Sequence, residues 1–236
     1  MDIFQGYLDL VSDYGTRLAF ATLVSIELLA ISAVFGFLIA IPVGVGRTSR
    51  YKPFYWASST YSSVFRGTPL LVQLFVIYYG IAQFESLRSS FAWPFFSNAF
   101  CCAALALTLN LGAYMAEHIR AGIISIPEGE TEAALAFGFG KLRMLAGIIV
   151  PRALRVATPA LTNEVIVQLK ATALASTITV LDLTGLARRL SAQSYTLDPF
   201  IFAAVIYASL TLVIATVSRM LESRGNRYLA LSPKRA

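Results

Sequence analysis

Residues 18–45 read LAFATLVSIELLAISAVFGFLIAIPVGV, 28 positions with a single charge, Glu27. A helix rises 1.5 Å per residue, so this run is about 42 Å long and exceeds the roughly 30 Å hydrocarbon core of a bilayer. The rest of the chain agrees with a membrane reading. Of 236 residues, 57% are hydrophobic and only 14% charged, against about 25% charged in an average soluble domain. Mean hydropathy is +0.68. A disordered chain needs low hydrophobicity. The two cysteines, Cys101 and Cys102, are adjacent and give neither a disulfide framework nor a zinc spacing.

Four more apolar stretches follow, at about 67–84, 95–117, 157–181 and 200–221. The expected fold is all-α, a single integral membrane bundle of five transmembrane helices over residues 1–236. An aromatic, Ser-rich stretch, Pro53–Phe65, reads as an interfacial helix leading into the second span. No cleavable signal peptide is expected, because Asp2, Asp9 and Asp13 precede the first span where a basic segment would stand.

The net charge of +6 is distributed unevenly. Thirteen Lys and Arg flank one side of the spans: Arg47, Arg50 and Lys52; Arg120, Lys141, Arg143, Arg152 and Arg155; and Arg219, Arg224, Arg227, Lys234 and Arg235. Four lie on the other: Arg17, Arg88, Arg188 and Arg189. Cytoplasmic loops carry the cationic excess. The expected topology is N-terminus out, C-terminus in. The excess charge borders spans, so it does not suggest a nucleic-acid surface.

The one long connection, 118–156, then lies in the cytoplasm. Ser125-Ile126-Pro127-Glu128 reads as a helix start, with Ser125 as the cap and Glu128 completing a capping box. Glu128, Glu130 and Glu132 sit near the positive helix end. Ala133, Ala134 and Ala136 keep the helix thin, and Gly138 and Gly140 permit a turn. A second short helix is expected over Leu142–Val150, broken by Pro151. Gly138-Phe139-Gly140-Lys141 is not a P-loop, since Leu stands at 135 and at 142. From the residues alone, a surface hairpin without function remains open.

Glu132-Ala133-Ala134, Gly138 and Ile148-Ile149-Val150-Pro151 resemble the EAA loop of binding-protein-dependent ABC importer permeases, with Val150 a mild departure from its usual ending. Arg66-Gly67-Thr68-Pro69-Leu70-Leu71-Val72-Gln73, Ala113-Tyr114-Met115-Ala116-Glu117, Ser125–Gly129 and Pro159–Glu164 are similar to blocks of polar amino-acid permeases, in the same order. Thr172-Ala173-Leu174-Ala175 looks like the M-type subunit of histidine/lysine/arginine/ornithine and octopine/nopaline importers. The resemblance implies the type I permease fold, the bacterial inner membrane and no cofactor in this chain. It also implies three partners: a second, Q-type permease, an ATPase dimer that binds ATP and Mg, and a periplasmic binding protein. It implies no enzymatic activity here, and it makes Glu132, Ala133, Ala134, Gly138 and Pro151 the ATPase-coupling element.

Ionisable groups inside spans are expensive and mark function by default. Glu27, Glu164, Gln168, Asn163, Gln73, Thr68 and Thr172 are the expected substrate pathway. Glu164, Gln168 and Thr172 share one helical face. Arg66, Glu117 and Lys170 are candidates for a gate or an ion pair. Acids outnumber bases inside the spans, which suits a cationic amino acid or an opine. The alternative is that these groups pair with one another or with a partner. His118, the only histidine, supports neither haem nor zinc, and no metal site is expected. Two other classes remain open: an ion-coupled secondary amino-acid carrier and a membrane anchor.

Overall fold

A computed structural model describes residues 2–225, with side chains over 15–220. Asp2, Asp9, Asp13 and the tail cations Arg224, Arg227, Lys234 and Arg235 therefore lie outside the described side chains. The opening apolar run is one helix, α1 (Asp2–Gly46). It packs most extensively on α6 (Ala99–Ile124), and the sequence explains how closely. Gly36, Ala40 and Gly44 recur every fourth residue on α1, and Thr108, Gly112 and Ala116 do so on α6. Small residues at this spacing let two helix backbones approach. A Cβ at Gly44 would lie 2.9 Å from the Ala116 carbonyl, and one at Gly36 would lie 3.3 Å from the Gly112 nitrogen.

Between these helices come α2 (Lys52–Gly67) and a helical segment, Leu70–Gln83, that starts as α3 (Leu70–Phe75). They meet at 104°. The bend thus separates the helix expected over 53–65 from the span expected at 67–84, which runs on as one helical segment. Thr68-Pro69 leaves the helical path, and the residue before a proline avoids the α region. Pro69 has no N–H to give the Phe65 carbonyl four residues earlier. Gln73 Nε2 supplies that bond at 2.9 Å and Asn110 Nδ2 a second at 3.1 Å. Two single-turn helices, α4 (Glu85–Arg88) and α5 (Trp93–Phe96), lead on to α6.

After α6 come α7 (Glu128–Ala136), α8 (Lys141–Met144) and α9 (Val150–Ala171), then a 3₁₀ segment, Thr172–Ile178. The expected break at Pro151 does not occur. Residues Lys141–Ile178 form one 38-residue helix, because a π-turn over Leu145–Ile149 widens the coil just before the proline. At about 57 Å it exceeds the hydrocarbon thickness, so its first turns belong to the loop. The chain ends in α10 (Leu183–Ser194), which was not anticipated, and α11 (Asp198–Gly225). Four described helices are long and apolar enough to cross a bilayer, and the bent pair makes a fifth.

Candidate functional site

The loop between α6 and α9 is built differently from its expected cap. Ser125 ends α6 and its hydroxyl donates to the Gly122 carbonyl at 2.8 Å. Pro127 occupies the N-cap of α7, which has no side-chain cap bond. Proline fits there because it has no donor to leave unmet. Glu128 and Glu130 stand in the first turn, and Glu130 also pairs with Arg152 at 2.6 Å, tying α7 to α9. The C-terminal end closes through Phe137 N to Ala133 O at 3.0 Å and Phe139 N to Ala134 O at 3.1 Å. That closure sets Gly138 at φ +79°, a conformation that favours glycine.

Ala134 turns inward, whereas Glu132, Ala133, Gly138 and Pro151 are exposed. Around them stand Leu135, Phe137 and Leu142, exposed by 50%, 84% and 82%. Sequence reasoning missed this apolar patch. The signal was available: three large apolar residues stand in a polar loop on either side of a glycine turn.

At the same end, Glu117 gathers three arginines. Arg120 donates through Nε at 2.7 Å, Arg66 stands 3.3 Å away, and Arg47 is bonded to the same carboxylate. Arg47 also donates to Ser62 Oγ at 3.0 Å, and Arg66 lies over the Tyr114 ring at 5.5 Å. One acid thus joins the ends of α1, α2 and α6. Of the three residues expected as a gate or ion pair, Arg66 and Glu117 stand together in this cluster, and Lys170 forms no ion pair among the described residues.

The face shared by Glu164, Gln168 and Thr172 points into the bundle. Glu164 bonds His118 at 2.8 Å. Gln168 is buried and donates to Ser32 Oγ and to the Leu107 carbonyl, each at 3.1 Å. Thr172 is fully buried and donates to Leu169 O at 2.7 Å. Gln73 is likewise buried, and it donates to Thr68 Oγ1 at 2.8 Å. Asp182 went unnoticed in the sequence. It is fully buried and caps α10, accepting from Gly185 N at 3.0 Å, Thr184 N at 3.3 Å and the Tyr207 hydroxyl at 3.3 Å. Burial pushes its carboxyl above the usual range, against the pull of those three donors. Leu183 N donates to Ser25 Oγ at 3.2 Å, fixing this corner to α1.

Outward-facing residues divide more sharply. On α9 the exposed positions Val156, Pro159, Asn163, Val167 and Lys170 recur every three or four residues and form one stripe. Two of the five, Asn163 and Lys170, are polar. A lysine facing hydrocarbon at mid-span costs about 2.5–3.5 kcal/mol on insertion scales. On α11 the large exposed residues include Ile201, Val205, Leu212, Val213 and Val217, a surface lipid accepts. Glu27 is exposed on α1, and Thr68 at the bend. No group of three or more His, Cys, Asp or Glu could hold a metal ion among the described residues.

Comparison with known proteins agrees with this architecture. Residues 19–227 match the family described as "Binding-protein-dependent transport system inner membrane component". The chain is 40% identical over 215 residues to the octopine transport system permease protein OccM of Rhizobium radiobacter, covering 89% of this chain and 88% of OccM. It is 41% identical over 210 residues to the histidine/lysine/arginine/ornithine transport system permease protein HisM of Escherichia coli K12, covering 87% of each. A crystal structure of an amino acid ABC transporter with histidines superimposes with a TM-score of 0.79 at 33% identity, over 90% of this chain and 96% of that one. A chain of the MetNI methionine ABC transporter shares the fold, with a TM-score of 0.74 at 19% identity over 89% of this chain and 96% of that one. A bundle of long apolar helices with a structured loop and an outward stripe carrying two polar residues, matched over most of its length, belongs to the family of binding-protein-dependent transport system inner membrane components: the chain is the permease subunit of an ABC importer.

Proposed function

We propose that this permease carries polar, cationic amino acids or opines inward, paired with a second, Q-type permease. An ATPase dimer would sit under its loop and a periplasmic binding protein at the opposite end. The observation that carries the reading is the α9 stripe. Asn163 and Lys170 face outward from the bundle on a span, where lipid is a poor neighbour and a water-lined path between two permeases is a good one. The names of OccM and HisM support the substrate class.

The loop end is cytoplasmic on the cation count. Leu135, Phe137 and Leu142 dock on the ATPase, with Glu132, Ala133, Ala134, Gly138 and Pro151 shaping the surface. ATP binding on the partner, with Mg, closes the ATPase dimer and moves the loop. The helical continuation of α8 into α9 carries that movement to the stripe. The coupling is a difference in the affinity of ATP and substrate for two states of the bundle. Asn163 and Lys170 face the path, with Glu164 at its margin. Gln168, Thr172, Gln73 and Thr68 shape it from behind by fixing α9 and the bend, and Glu27 contributes from α1.

The test is uptake of labelled arginine into proteoliposomes holding the two permeases and the ATPase. Uptake is expected only with ATP inside the cytoplasmic compartment and binding protein on the other. Uptake driven by an ion gradient without ATP would overturn the reading.

A further inference from the structure

We propose that Lys170 binds the carboxylate of the transported substrate. This rests on the reading that the α9 stripe lines the path and that amino acids or opines travel along it. Lys170 is exposed on the stripe, and its ammonium meets no acid among the described residues: the ion pairs there engage Glu117, Glu130 and Glu164. Its depth follows from a neighbour. Gln168, two residues earlier, bonds Ser32, and Ser32 stands near the middle of the apolar stretch Gly15–Gly46. An exposed ammonium at mid-depth needs water or an anion beside it.

The bundle's own acids do not supply that anion. Glu164, on the same helix, is turned inward onto His118. Amino acids and opines share a carboxylate, ionised throughout the physiological range, while their other ends differ. A lysine is a compact charge on a flexible stem, which suits a ligand that must also leave. Asn163, two turns away on the stripe and nearer the loop, offers an amide as the next contact. The cation on this chain therefore takes the end that all the substrates share. Discrimination among their other ends falls to the partner permease and the binding protein.

The experiment uses the complete complex of two permeases and ATPase in detergent, without binding protein. It compares arginine with agmatine, which is arginine lacking the carboxylate. Lys170→Gln is expected to weaken arginine binding by about tenfold, the value of one charge-assisted hydrogen bond, and to leave agmatine binding as in the wild type. Lys170→Arg is expected to keep most of the arginine affinity. Equal weakening of both ligands, unchanged arginine binding, or loss of the second permease from the Lys170→Gln complex would each overturn the assignment. A wild-type complex that binds neither ligand would instead overturn the substrate reading on which it stands.

Discussion

Glu117→Ala is expected to lower the thermal unfolding midpoint of the detergent-purified permease by roughly 5–10 °C. The substitution leaves Arg47, Arg66 and Arg120 facing one another at the junction of α1, α2 and α6. Removing one member of a buried ion cluster costs about 3–5 kcal/mol. These side chains retain 19–38% exposure, so solvent relieves part of that and the lower end applies. Two arginine-bearing helices would lose their anchor to α6, and α2 would lose one of the contacts that hold the bend. Adding Arg47→Met to the variant is expected to restore part of the midpoint, because it removes the most deeply engaged unpaired cation. A midpoint equal to the wild type's would show that the cluster contributes nothing to stability.

Gly138→Val is expected to insert and assemble normally yet reduce ATP-driven uptake by at least about tenfold, the loss of one good apolar contact on the ATPase. The residue sits at φ +79°, where a β-branched side chain is strained. Relief of that strain reopens the end of α7 and moves Phe137 and Leu142 off their shared surface. The companion variant Leu142→Asp keeps the backbone and charges the patch directly. Both variants are expected to keep ATP hydrolysis from responding to the binding protein. Wild-type uptake by an assembled Gly138→Val complex would contradict the coupling role.

The spans were legible because hydrocarbon thickness demands long apolar runs, and residues 18–45 satisfy it almost alone. The bend at Gly67–Pro69 was half-visible. Proline announced a free carbonyl, but only the packing of α6 shows that Asn110 and Gln73 answer it. Pro151 misled, since a π-turn can absorb a proline that pattern reading treats as a stop. The direction of the α9 faces was not legible. Periodicity placed Glu164, Gln168 and Thr172 together but could not say whether that face meets solvent or the bundle. The exposed stripe, with Asn163 and Lys170, is the one left open. Pairing also lay beyond the sequence: His118 and Glu164 are 46 residues apart and meet only because α6 and α9 cross.

The most direct test of the central claim, a path along α9 that opens alternately to the two sides, is thiol labelling of Asn163→Cys. The background carries Cys101→Ala and Cys102→Ala, with Val205→Cys on the exposed face of α11 as the lipid-facing control. In the assembled importer, the thiol introduced at position 163 is expected to react with a membrane-impermeant reagent from the loop side without ATP. With ATP and the binding protein it should react from the opposite side, and the control thiol on α11 should react in neither condition. A thiol on α9 as inert as the control, or one whose accessible side ignores ATP, would contradict the account.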